Sequence, residues 1–242
     1  MILLRSLLFQ AVFLGWTTLV ALYSLVPLAF GWRDHIFAIN GFWSRSINWL
    51  LRHVVGITCR IEGREHIPEG PALVASKHQS LWDTAIVFHI FGTPAVVMKQ
   101  ELLRIPIYGA LARAQGMVAV DREGGARALK QMLKDARVAV AEGRKLVIFP
   151  QGTRTLPGEA MTYQPGVAAL YRDLKIPVVP AVVNSGFFWP KRGLRRRPGE
   201  IVLRFLPPIP PGLDRESFMR KLESEIETAQ VALEAETRAG LR

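Results

Sequence analysis

His78 and Asp83 stand five positions apart in Ser76-Lys77-His78-Gln79-Ser80-Leu81-Trp82-Asp83, a spacing that lets an imidazole meet a carboxylate where a strand hands over to a helix. The apolar run Ala72-Leu73-Val74-Ala75, bounded by Gly70-Pro71, reads as a buried strand, and Leu81 to Phe91 reads as a helix. Loops at such junctions are exposed while both flanking elements hold them in place. A histidine there can act as a general base near neutral pH, with an acid one turn on holding its other ring nitrogen and stabilising the imidazolium. No protein nucleophile is needed if the substrate brings its own. The same residues also satisfy a purely structural pattern: Ser80-Leu81-Trp82-Asp83 is S-x-x-D, in which Asp83 is the acid of a capping box.

The elements around this pair alternate short apolar runs with helical stretches, the pattern of an α/β domain. Strands are expected at Thr58 to Ile61, Ala72 to Ala75, Ala95 to Met98, Met117 to Val120, Leu146 to Phe149, Pro177 to Val183 and Ile201 to Phe205. Helices are expected at Ile107 to Ala114, Arg127 to Ala141, Val167 to Leu174 and Asp214 to Thr237. Several strands end in a polar or charged residue, namely His78, Lys99, Arg122 and Arg154, and parallel strands would collect these ends along one sheet edge. One base, one acid and three cations suit an anionic substrate carrying a hydroxyl or amine nucleophile. For Arg122 a surface pair with Asp121 or Glu123 is the competing reading.

The chain of 242 residues is long enough for one large domain, and its 31 Lys and Arg against 20 Asp and Glu give a formal charge of +11. That balance favours anionic partners without choosing among them. Ser6 to Phe30 carries no charged residue, and as a helix it is about 37 Å long, more than the roughly 30 Å core of a bilayer. It reads as a membrane segment, its apolar run being longer than that of a cleaved signal peptide. Ile36 to Val55 reads as an amphipathic helix for the lipid surface, with Trp43, Trp49, Arg45, Arg52 and His53. The first helix either spans, or forms with the second a hairpin in one leaflet. Arg5, Arg33, Arg45 and Arg52 place the main domain on the cytoplasmic side either way. The expected organisation is an anchoring helix pair over residues 1–56 and an α/β domain over 57–242. A single cysteine, Cys59, permits no internal disulfide and agrees with that side. His35, His53, His66 and His89 lack metal-ligand spacing, so no metal is expected.

Taken together, the motifs resemble those of the glycerolipid acyltransferase family, most closely the bacterial 1-acylglycerol-3-phosphate (lysophosphatidic acid) acyltransferases. The family's N/K-H-x4-D is matched by Lys77 to Asp83, its glycine-to-D-R block by Gly116 to Arg122, and its F-P-E-G-T-R by Phe149-Pro150-Gln151-Gly152-Thr153-Arg154. Its K-x-E-L element is matched by Lys99 to Leu102, and its V-P block by Val178-Val179-Pro180-Ala181-Val182. All five occur in family order over about 110 residues, a far stronger signal together than singly.

The resemblance implies a mixed sheet flanked by helices behind a membrane helix pair. It implies transfer of a fatty acyl group from acyl-coenzyme A or acyl-carrier protein to the sn-2 hydroxyl of lysophosphatidic acid, giving phosphatidic acid at the inner membrane. His78 would be the base and Asp83 would fix its tautomer; Lys99, Arg122, Gln151, Gly152, Thr153 and Arg154 would bind substrate. The thioester is a co-substrate, and no further cofactor is implied. Gln151 departs from the family's glutamate and leaves the acceptor open, since amide replaces charge. The competing readings are an acyltransferase on another lyso-acceptor, such as a lyso-ornithine lipid, and a non-catalytic basic protein bound to anionic lipid. Nucleic acid is not an expected partner, because the basic residues match no recognition motif. The aromatic and basic stretch Phe187 to Arg197 would grip lipid headgroups or coenzyme A phosphates, or else is a solvated loop.

Overall fold

The computed structural model describes residues 1–241. Seven strands, β1 (Ile57–Glu62), β2 (Leu73–Ser76), β3 (Ala95–Lys99), β4 (Val118–Val120), β5 (Leu146–Ile148), β6 (Val178–Val183) and β7 (Gly199–Phe205), form one sheet in the order β1-β7-β6-β2-β5-β3-β4. From β6 through β2, β5 and β3 to β4 all neighbours are parallel, while β7 is antiparallel to β6 and parallel to β1. The sheet is therefore mixed, as expected, and the strands bearing the candidate residues all end on one edge.

Alternation along the strands divides the core in two. Val74, Val147, Val179, Ala181 and Val183 point to one face with Trp82 and Ile86, whereas Leu73, Ala75, Leu146, Ile148, Val178 and Val182 point to the other. The first face is covered by α4 (Trp82–Phe91) and the N-terminal helices. The second is covered by α6 (Gly125–Ala141), α7 (Gly166–Leu174) and α8 (Arg215–Gly240), through Met132, Val167, Phe218, Leu222 and Ile226. Both faces being buried, the central strands are apolar throughout rather than alternating.

The N-terminal segment is not one uninterrupted helix. It comprises α1 (Ile2–Tyr23) and the short α2 (Leu25–Ala29). Pro27 lacks the N–H that would bond back to Tyr23, which interrupts the ladder near Ser24. The chain then reverses at Gly31, whose φ of +68° suits a residue without Cβ, and returns as α3 (Arg33–Leu50). Reciprocal indole bonds join the helices: Trp16 Nε1 donates to Ser46 Oγ at 2.7 Å and Trp43 Nε1 to Thr17 Oγ1 at 3.1 Å. The helix is amphipathic, as its sequence pattern indicates, and its apolar face packs inward. That face, Ile36, Phe37, Gly41, Ser44, Ile47 and Leu50, is buried, and Asn48 accepts from the indole of Trp82 on α4 at 2.7 Å. Phe42 and Trp49 are left on the outside.

Both ends of the hairpin are tied to the α/β domain. At one end Arg196 N donates to Ser6 Oγ at 2.9 Å, and Phe9 meets the Trp189 ring edge-on at 5.3 Å. At the other, Arg33 donates to both carboxylate oxygens of Glu142 at 2.8 and 2.7 Å and to the carbonyl of Gln115. The Arg33 guanidinium holds the Glu142 carboxyl below its ordinary range, so this contact is present at neutral pH and is lost as pH falls through that lowered value. At about one-third exposure the pair contributes at most about 1 kcal/mol, enough to set the position of the turn. Glu142→Gln should make trypsin cleavage after Arg33 several-fold faster without changing the melting temperature by more than a few degrees. Cleavage at the wild-type rate would show that the bridge does not hold the turn.

Candidate active site

Asp83 is enclosed, its side chain 3% exposed, and five donors converge on it. Oδ2 accepts from the backbone N–H groups of Gln79 and Ser80 at 2.7 and 2.8 Å and lies 2.9 Å from His78 Nδ1. Oδ1 accepts from Ser80 Oγ at 3.2 Å and from Ser185 Oγ at 2.6 Å. A carboxylate so placed only accepts, so the proton between it and the imidazole belongs to His78 Nδ1, and Nε2 is left as the unprotonated nitrogen. Only half of the capping box is formed: Asp83 accepts from Ser80 N, but Ser80 Oγ accepts from Trp82 N at 3.1 Å rather than from Asp83 N, and the helix begins after Leu81 without a side-chain cap. The same carboxylate fixes the turn into α4 and orients the histidine.

Strand alternation carries His78 to the face of α4 and the hairpin, where its ring stacks on Phe149 at 4.2 Å between centroids. The loop after β5 grips it from behind, Thr155 donating through N at 2.7 Å and through Oγ1 at 3.1 Å to the His78 carbonyl. The imidazole remains 14% exposed.

The other expected residues gather at the same edge in three ways. The register sets Val96 beside Val147 and Val147 beside Val74, so Lys99 and Pro150 fall level with Lys77, one residue before His78, at neighbouring strand ends. Lys99 is exposed, Arg154 is half-buried, and neither has a side-chain partner among the described residues. Thr153 is half-buried in the same loop. Arg122 forms no pair with Asp121 or Glu123 and instead donates to the carbonyl of Gly152. A Cβ at Gly152 would fall 2.6 Å from that guanidinium, and its φ is +70°, so both the turn and the close approach of Arg122 require glycine. Gln151 departs from expectation: it is 1% exposed with both amide atoms unpaired, inside the loop rather than on the surface an acceptor would meet. Its burial follows from the tight turn in which Gly152 N donates to the Phe149 carbonyl at 2.8 Å.

Ser185 was not foreseen from the sequence. It follows β6, the strand beside β2, and its only signal is its place in the polar pair Asn184-Ser185 that ends the apolar run of the V-P block.

A histidine oriented by an anchored carboxylate, beside cations on a parallel sheet edge, has the geometry that a general base for an anionic substrate requires. Residues 58–184, just over half of the chain, match the family model described as Acyltransferase, and the chain belongs to that family. Among its relatives is the 1-acyl-sn-glycerol-3-phosphate acyltransferase of Pseudomonas aeruginosa, 38% identical over 159 residues, which are 66% of this chain and 62% of that protein. A relative of the same description from Limnanthes douglasii is 29% identical over 79% of this chain and 69% of its own length. The crystal structure of the 1-acyl-sn-glycerophosphate acyltransferase PlsC from Thermotoga maritima superposes with a TM-score of 0.77 at 22% identity, covering 96% of this chain and 99% of that one. The shared fold thus takes in the N-terminal hairpin as well as the sheet.

Ser185→Ala removes one of two bonds to Asp83 Oδ1 and should lower kcat about tenfold with KM unchanged. A wild-type kcat in the folded variant would show that Ser185 only fills space.

Proposed function

We propose that the protein transfers a fatty acyl group from acyl-coenzyme A or acyl-carrier protein to the sn-2 hydroxyl of lysophosphatidic acid, forming phosphatidic acid. The observation that carries this reading is the His78–Asp83 pair, which occupies Nδ1 and leaves Nε2 without a protein partner on a partly exposed ring. The names of the relatives support the substrate.

In this mechanism His78 Nε2 takes the proton of the acceptor hydroxyl as its oxygen bonds to the thioester carbonyl carbon. The carbon–sulfur bond then breaks, leaving the ester and a thiolate, which receives the proton from the imidazolium. Asp83 stabilises that imidazolium without itself being protonated. Lys99 and Arg154 bind the acceptor phosphate, as a point charge and as a planar fork respectively. Arg122 holds Gly152 and thereby the loop that carries Arg154.

The hairpin seats the site at the inner face of the cytoplasmic membrane, lying in one leaflet. Residues 2–29 are long and apolar enough to cross, and the contacts that tie both ends of the hairpin to one domain support the re-entrant placement. Its outward face, with Leu4, Leu8, Leu19, Val26 and Phe30 exposed, is a broad apolar surface suited to lipid. In a Cys59→Ser background, cysteines replacing Arg5 and Gly31 should both react with an impermeant thiol reagent from the cytoplasmic side only. Reaction from opposite sides would establish a spanning helix.

The reaction is tested by acyl transfer from a labelled thioester to lysophosphatidic acid and to a lyso-ornithine lipid. Transfer to lysophosphatidic acid should dominate and fall by about 10²–10⁴ in His78→Ala. In Arg154→Ala it should fall mainly through a higher acceptor KM. Transfer to the phosphate-free lipid alone would move the substrate and remove the role of Lys99 and Arg154.

A further inference from the structure

The residues on either side of His78 point away from the substrate edge. Alternation sends Lys77 and Gln79 to the opposite face, where α8 runs behind the sheet. Lys77 is 2% exposed, and its Nζ lies 2.6 and 2.7 Å from the two oxygens of Glu227, which also accepts from Tyr163 Oη at 2.9 Å. Gln79 is fully buried; its Nε2 donates to Glu234 at 3.0 Å and its Oε1 accepts from Gly186 N at 3.1 Å.

Gln230, between the two acids on α8, bonds both backbone groups of Val183 and donates to Glu234 at 2.9 Å. Thr237 accepts from Asn184 at 2.8 Å. The four positions Glu227, Gln230, Glu234 and Thr237 form one helical stripe, which holds the ends of β2 and β6, the two strands that deliver His78 and Ser185. All of α8 lies outside the stretch 58–184 that matches the family model.

We propose that the inward polar stripe of α8, buried at Gln230 and Glu234 and partly exposed at Glu227, is a positioning element for the reaction: Glu227 through Lys77, and Glu234 through Gln79, fix the backbone on both sides of His78 and hold the imidazole in register with the acceptor. Lys77 is thereby a positioning residue, although a cation beside a catalytic histidine invites assignment to the acceptor phosphate. An ion pair of this kind is a costly way to stabilise a fold, since an apolar replacement of like volume is commonly as stable or more so. What it supplies in addition is direction.

That distinction sets the experiment, whose kinetic arm rests on the acyl-transfer reading. Lys77→Met/Tyr163→Phe/Glu227→Leu replaces the whole triad by apolar groups, so no charge or hydroxyl is stranded. Gln79→Met, a milder change, serves if the triple variant does not fold. In a variant whose melting temperature is at or above wild type, kcat should fall at least about tenfold with both substrate KM values within twofold, misplacement of a base being expensive. Amide exchange at Gln79 and Ser80 should quicken at the same time.

A folded variant with wild-type kcat overturns the proposal, whatever its exchange rates. If the wild-type protein transfers no acyl group to any acceptor, the functional reading fails and exchange alone decides. Faster exchange confined to the loop then supports the positioning role, and unchanged exchange overturns it.

Discussion

A buried carboxylate can exist in this chain only because five donors surround it. Removing Asp83 from water without them would cost several kcal/mol, and the donors come from three places: the histidine, the two backbone amides and hydroxyl that follow it, and a serine in the turn after the neighbouring strand. Satisfying that one charge dictates how β2 turns into α4, which nitrogen of His78 keeps its proton, and how closely the end of β6 must approach. The turn into α4 and the orientation of the imidazole are therefore one arrangement, since the bonds from Gln79 and Ser80 that shape the turn are bonds that saturate the acid.

The sheet then assigns the two faces their tasks. Period-two alternation places His78 and Phe149 on the face that carries α4 and the apolar hairpin. Lys77 and Gln79 fall on the other face, where α8 answers each with a glutamate. A helix remote in sequence thus sets the geometry of a loop it follows by some 150 residues. Amphipathicity alone does not describe α8, whose inward side is apolar at Phe218, Leu222 and Ile226 and polar at Gln230 and Glu234.

Much of this was legible in advance. All seven strands lie where short apolar runs bounded by Gly, Pro or charge placed them, because strands buried on both faces leave an uninterrupted hydrophobic signature. The pairing of His78 with Asp83 followed from spacing at a strand–helix junction, and the collection of Lys99, Arg122 and Arg154 on one edge followed from parallel strands. Other features left no such trace. Mean hydropathy does not register Pro27, so the first helix reads as continuous, and it does not reveal that the apolar face of α3 is occupied by α4. Glu227, Gln230 and Glu234 have the spacing of a solvated helix face, and only their burial against Lys77, Gln79 and Val183 reverses that reading. Ser185 is one polar residue after a strand until the sheet order sets β6 beside β2. Gln151 sits in a recognisable motif, yet the turn around Gly152 folds its side chain inward.

The claim on which the rest depends is that Asp83 keeps the proton on His78 Nδ1 and leaves Nε2 free to take another. It is tested most directly by the ¹⁵N spectrum of the His78 ring in the resting protein at neutral pH, assigned by its disappearance in His78→Ala. The account predicts a protonated Nδ1 and a bare Nε2, with the proton redistributed between the two nitrogens in Asp83→Asn. A resting ring that carries its proton on Nε2 could not serve as the base, and would contradict it.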